Sequence, residues 1–240
     1  MSSDLILSLI TPFDDSLEID YNVLRSIPDD AISNGVTSVL IGDMEAEVSS
    51  LDDTERIELY QYVSSYTSED ITLIANVTKC STDKTIKFIA SLASINLDSF
   101  LLTVPYGVSP NRGGTFLHFK TVVNLFKNRS FIISGNNTCP LDLETIFKLV
   151  KECPNIVGLR LNKDDLRILN NIRKSFPELS IYVDEQAGIL NILETGVHGI
   201  VSSLANIHAS YLVKVVDDFG KGIKNQELDM HLSNMFEMLN

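Results

Sequence analysis

The chain has 240 residues, 44% of them aliphatic, aromatic or sulfur-bearing and 21% charged, with 12 glycines and 3 cysteines. These proportions exclude collagen-like, disordered and disulfide-stapled classes and leave enough chain for a sizeable core. With 32 acidic against 19 basic residues the net charge is −13, which disfavours nucleic acid and anionic membrane surfaces as partners.

Short apolar or β-branched runs alternate with amphipathic segments from end to end. The first run, Leu5 to Ile10, precedes a helical pattern from Tyr21 to Asn34 that Gly35 closes. Pro28 lies inside that pattern, which predicts a kink or two shorter turns. Runs at 37–41, 71–75, 98–104 and 131–133 precede helical patterns at 52–66, 82–94, 115–127 and 141–151. Runs at 156–160, 180–183 and 199–202 precede a helix starting near Asp164 and ended by Pro177, then helices at 186–194 and 207–219. A last amphipathic segment covers 225–239.

Nearly all the runs are apolar throughout, as strands buried on both faces must be. The repeated strand–helix order, without a Gly-rich loop after the first strand, predicts a closed (β/α)8 TIM barrel over 1–222 and one C-terminal helix over 223–240. Asp4 stands where a secretory signal needs positive charge, and no run is long enough for a membrane span. Cys80, Cys139 and Cys153 form no CxxC and read as reduced thiols, so a cytoplasmic location is expected.

Five segments carry a resemblance. They are Leu9-Ile-Thr-Pro-Phe-Asp-Asp, Val104-Pro-Tyr-Gly-Val-Ser-Pro with Phe116-Leu-His-Phe, Pro154-Asn-Ile-Val-Gly-Leu-Arg, Asp165-Leu-Arg-Ile-Leu, and Gly196-Val-His-Gly-Ile-Val-Ser-Ser-Leu-Ala-Asn. In this order they resemble the dihydrodipicolinate synthase / N-acetylneuraminate lyase family of class I aldolases. The resemblance implies the same barrel, with most of the family's C-terminal helical subdomain missing. It also implies a chemistry in which a strand-six lysine forms a Schiff base with a 2-keto acid, a strand-five tyrosine relays protons, and a GTTGE-like loop binds the carboxylate. No cofactor is implied.

At the positions that carry this chemistry the chain departs from the family pattern. Arg160 stands at the Schiff-base lysine, and a guanidinium stays protonated and cannot attack a carbonyl. Ser134 stands at the relay tyrosine, and Asn136 or Asn137 where an arginine follows it. Gly107 replaces a tyrosine that the family lends to a neighbouring subunit, whereas Tyr106 keeps the one before it. Gly42-Asp-Met-Glu-Ala-Glu replaces GTTGE. Asp43, Glu45 and Glu47, with Asp184 and Glu185, are therefore expected to line the mouth with negative charge, and Asp43, Met44, Glu45, Tyr106, Asp184 and Ser202 to form the pocket.

Several readings stay open. Arg160 either binds a carboxylate ligand or pairs with Asp43 or Asp184. Lys163 is a candidate relocated amine, although a loop lysine beside two aspartates is more readily solvated. Asp43, Glu45, Glu47 and Asp184 are oxygen ligands of a kind Mg2+ or Ca2+ accepts, with no motif to fix them, and no metal is assigned. The expectation is a family barrel without Schiff-base chemistry, acting as a structural or regulatory partner of itself, as a dimer, or of a catalytic paralogue. The alternatives are a lyase with altered catalytic residues and a sensor that binds a small keto acid.

Overall fold

Strands without a polar face need cover on both sides, and the eight apolar runs obtain it as parallel strands backed by helices. The computed structural model describes residues 4–135 and 139–239, and at 163–165 and 239 the backbone alone. The strands are β1 (Asp4–Leu9), β2 (Ser38–Ile41), β3 (Thr72–Asn76), β4 (Ser99–Thr103), β5 (Ser130–Ser134), β6 (Ile156–Leu161), β7 (Ser180–Asp184) and β8 (Gly199–Ser202). Their hydrogen-bonded order runs from β1 to β8 and closes as a barrel, the (β/α)8 arrangement expected.

The helices are α1 (Tyr21–Ser33), α2 (Asp53–Tyr66), α3 (Thr82–Ser91), α4 (Arg112–Leu125), α5 (Leu143–Glu152), α6 (Leu169–Ser175), α7 (Ile189–Glu194), α8 (Ala205–Gly220) and α9 (Gln226–Leu239). Five begin on a side-chain cap: Asp20, Asp52, Ser81, Asn111 and Asp142. Each such cap contributes about 1 kcal/mol by satisfying an orphan N–H. Asn111 explains why α4 starts three residues before the predicted Thr115, since its Oδ1 accepts from Gly114 N at 2.8 Å. A single helix runs through buried Pro28. The helix expected from Asp164 is instead a 3₁₀ turn over Lys163–Ile168 followed by the short α6. None of the described helices is long and apolar enough to cross a membrane.

The chain divides into two compact units, Met1–Leu73 with Tyr182–Asn240, and Ile74–Ile181. In the first unit β1 pairs with β2 and with β8, and β7 with β8. Leu7, Val39, Val183 and Ile200 lie fully buried there. α9 is tied to α7 by Leu190 N, which donates to Asp229 Oδ1 at 3.1 Å, and the connection leading into α9 is tied to α7 by a Lys224–Glu194 ion pair at 2.7 Å. In the second unit β4 pairs with β5 and β5 with β6, and the β5–β6 register shifts between Phe131 and Ile132. That shift sets Ser134 directly opposite Arg160.

Candidate functional site

In a parallel barrel the loops after the C-terminal strand ends carry the chemistry, so the candidate residues are those closing each strand. In the first unit the segment after β2 turns at Gly42, whose φ of +71° favours glycine. A Cβ there would collide with the Tyr60 hydroxyl. Tyr60 is fully buried, and its hydroxyl accepts from Arg56 Nη2 at 3.1 Å. Burial, and to a lesser degree the charge of Asp43, push the Tyr60 phenol upward, against the pull of Arg56.

Asp43 is only 2% exposed. Its Oδ1 accepts from Met44 N at 2.9 Å and caps a 3₁₀ turn over Met44–Ala46, while its Oδ2 accepts from Ser8 Oγ of β1 at 3.1 Å. Thr11 Oγ1 donates to Ala46 O at 2.9 Å and fastens the other end of the turn. Glu47, at φ 54°, leaves it in the left-handed region. Met44 and Glu45, both expected in the pocket, are exposed, and Glu45 lies near enough to Glu185 for its charge to act there. The substituted loop is thus a hydrogen-bonded turn whose first acid is buried as a cap.

The second acidic pair follows β7. Asp184 closes the strand and is half-buried. Glu185, one residue on, was expected to add charge to the rim but is only 6% exposed. Its Oε2 accepts from Ser202 Oγ at 2.5 Å and from Leu204 N at 3.2 Å, and Ser202 Oγ in turn accepts from Ala205 N at 3.1 Å. Its Oε1 has no hydrogen-bond partner among the described residues. Desolvation by burial raises the Glu185 pKa to about 7, and the charge of Glu45 adds to the rise. Near neutrality Glu185 is therefore a partly protonated acid, which corrects the expectation of a fixed negative charge. A glutamate directly after an apolar strand, with a serine ending the next strand, was the only trace of this pair in the sequence.

In the second unit Arg160 is the next-to-last residue of β6 and is half-buried. Ser134 Oγ lies 3.0 Å from the Arg160 carbonyl oxygen and 3.0 Å from that of Gly135, so its single proton is directed to backbone. Tyr106 follows β4 and is half-buried beside exposed Gly107, whose φ is +76°. β3 ends on buried Asn76, whose Oδ1 accepts from Thr78 N at 2.9 Å, and Thr78 Oγ1 accepts from Thr103 N at 2.8 Å. This link between the ends of β3 and β4 escaped sequence reading. His118, on α4, is buried and paired through Nδ1 with Thr82 Oγ1 at 2.8 Å, and desolvation lowers its pKa to about 4.

The side chain of Lys163 and residues Asn136 and Asn137 lie outside the described residues. Among the described residues no three His, Cys, Asp or Glu groups are arranged to hold a metal ion, so the cation reading of Asp43, Glu45, Glu47 and Asp184 has no geometric support. The structure brings together Asp43 with Ser8, Glu185 with Ser202, and Ser134 with the backbone of Arg160.

Comparison with known proteins gives a consistent result. A model of the dihydrodipicolinate synthetase family matches residues 1–239. The 4-hydroxy-tetrahydrodipicolinate synthase of Endomicrobium trichonymphae is 26% identical over 233 residues, covering 96% of this chain and 80% of that protein. The enzyme of the same name from Pediococcus pentosaceus is 28% identical over 243 residues, covering 98% of this chain and 80% of that protein. Among solved structures, a DHDPS from Cyanidioschyzon merolae with lysine bound superposes with a TM-score of 0.91 at 26% identity, over 99% of this chain and 83% of that one.

Proposed function

Because the chain belongs to the dihydrodipicolinate synthetase family, we propose that it is a member without Schiff-base aldolase activity, serving as a structural or regulatory partner. One observation carries the proposal. Arg160 lies next to last in β6, where the resemblance puts the family's lysine, and its partner across β5 and β6 is Ser134, where the resemblance puts a tyrosine. Imine formation needs a neutral amine with a lone pair, which a permanently protonated guanidinium does not supply. The proton relay needs a phenol, whereas the Ser134 hydroxyl is directed to backbone carbonyls. On this reading both chemical roles lack their functional group in one pair of neighbouring strands.

Borohydride reduction in the presence of pyruvate, followed by intact mass measurement, tests this. The expected result is the unmodified mass, and a covalent pyruvate adduct would overturn the proposal.

A second reading has support in Glu185. A buried acid with a pKa of about 7 meets the requirement for a general acid working near neutrality. On this reading the chain is a lyase of the same family that acts on a 2-keto acid with altered residues. It predicts turnover in a screen of keto acids and aldehydes that Glu185→Gln abolishes, and a screen without turnover sets it aside.

A further inference from the structure

We propose that the tyrosine-lined hollow between α1 and α2 is a docking site for a basic segment of a partner protein, with one of its Lys or Arg side chains lodged in the hollow. The hollow measures about 560 Å3 and is lined by Tyr21, Glu58, Gln61, Tyr62 and Ser65. Tyr21 opens α1, while Glu58, Tyr62 and Ser65 follow at helical spacing on α2 and so share one face. The Tyr21 and Tyr62 rings meet edge to face at 4.8 Å, and Tyr62 meets Tyr66 in the same way at 5.2 Å. Tyr62 Oη donates to the Tyr21 carbonyl oxygen at 3.0 Å, which fixes its ring. This row already takes a cation at one end. The Arg25 guanidinium carbon lies 5.1 Å from the centre of the Tyr66 ring, within the reach of cation–π attraction.

Charge identifies the occupant. Residues 1–70 hold 16 of the 32 acids and 2 of the 19 bases, and no lysine, so they carry −14 while the rest of the chain carries +1. The net charge of the protein therefore lies in the segment that builds α1 and α2. Neither base of that segment neutralises the hollow: Arg56 is fully buried with Nη2 bonded to Tyr60, and Arg25 reaches Asp29 at 3.6 Å. Burial raises the Tyr21 phenol, and the charges of Glu58, Glu55 and Glu18 raise it further, which places three carboxylates within electrostatic reach of the ring.

An anion is repelled from such a site, and an apolar group gains nothing from Glu58. An ammonium or guanidinium meets a carboxylate and an aromatic wall together. Because the negative charge extends well beyond the hollow, a segment with several basic residues gains more from it than one small cation does, and it is steered there from a distance.

The inference names the chemistry of a partner for this chain and holds whether or not Schiff-base chemistry is lost, since the borohydride experiment does not report on peptide binding. Fluorescence anisotropy of a dye-labelled tetra-arginine peptide, titrated with the full chain at physiological salt, provides the test. The wild type should bind this peptide and not tetra-glutamate. Glu58→Gln and Tyr62→Leu should each weaken binding about two- to fivefold, with unchanged circular dichroism spectra. Tyr62→Phe, which keeps the ring and loses the hydroxyl, should stay within about twofold of wild type, so the Tyr62→Leu effect reads the aromatic face and not the bond to Tyr21. Glu178→Gln, an exposed acid of the second unit, should change nothing. Absence of tetra-arginine binding, equal losses from Glu178→Gln and Glu58→Gln, or an unaffected Tyr62→Leu variant overturns the proposal. So does arginine amide binding as tightly as the peptide, which assigns the hollow to a small cation instead.

Discussion

Ser202 Oγ donates a 2.5 Å hydrogen bond to Glu185 Oε2, joining the end of β8 to the residue after β7 inside the first unit. The bond favours the ionised carboxylate, yet burial outweighs it and holds the Glu185 pKa near 7 against an ordinary value of 4.5. The folded state therefore binds this proton more tightly than the unfolded chain does. Below about pH 4.5 the carboxyl is neutral in both states. As pH rises from there through 7, the folded protein loses about 3 kcal/mol relative to the unfolded chain, at about 1.4 kcal/mol per pH unit. Glu185→Gln abolishes that loss. Urea melts at pH 4.5 and pH 8 check it: the variant's stability relative to wild type should rise by about 3 kcal/mol between them.

His118 has the opposite sign. Burial depresses its pKa from 6.5 to about 4, so the unfolded chain takes up the proton first, and stability is lost as pH falls from 6.5 through 4. The expected loss is again about 3 kcal/mol. Between about pH 4.5 and 6.5 the two groups offset one another, and their combined contribution is nearly flat. His118→Gln should expose the falling Glu185 limb, and Glu185→Gln the rising His118 limb. If the pH profiles of the two variants run parallel over that interval, one of the two assignments is wrong.

Arg160→Lys should return an amine to the end of β6 without returning the relay phenol, because Ser134 still faces it. The expected outcome is a borohydride-trapped pyruvate adduct in the variant but not in wild type, with no measurable condensation turnover. Adding Ser134→Tyr should raise turnover if the pocket otherwise accepts the keto acid. Intact mass and a coupled assay read the two effects separately.

Gly42→Ala should destabilise the fold by about 2–4 kcal/mol. The positive φ strains any side chain, and the new methyl group meets the ring of Tyr60, which is buried and held by Arg56. The midpoint of urea unfolding should fall with an unchanged slope, because the surface exposed on unfolding is the same.

The strands were legible because burial on both faces leaves almost no choice of residue: β8 falls on the predicted residues, and the others within about two. Helix starts were less legible. The cap rather than the apolar stripe fixes them, as Asn111 shows for α4 and Gly188, at φ +83°, for α7. At the candidate site, the placement of Arg160 near the end of β6 and of Ser134 at the end of β5 was legible because strand runs fix it, and their pairing comes from the β5–β6 register. Glu185 could not be assigned its state. A glutamate one residue beyond a strand reads as solvated charge, and its burial depends on Ser202 and Leu204, 17 and 19 residues further along. The Met44–Ala46 turn escaped for the same reason, since its fastenings come from Thr11 and Ser8 on a different strand–loop segment.

That turn bears on any effort to rebuild a keto-acid pocket here. Asp43, an acid where the resemblance puts a hydroxyl residue, is the clasp that fixes the polypeptide path between β2 and α2. A serine or threonine there would remove the carboxylate and still offer an oxygen to Met44 N, so whether the main-chain path survives a loop redesign turns on the second contact, the one to Ser8 Oγ.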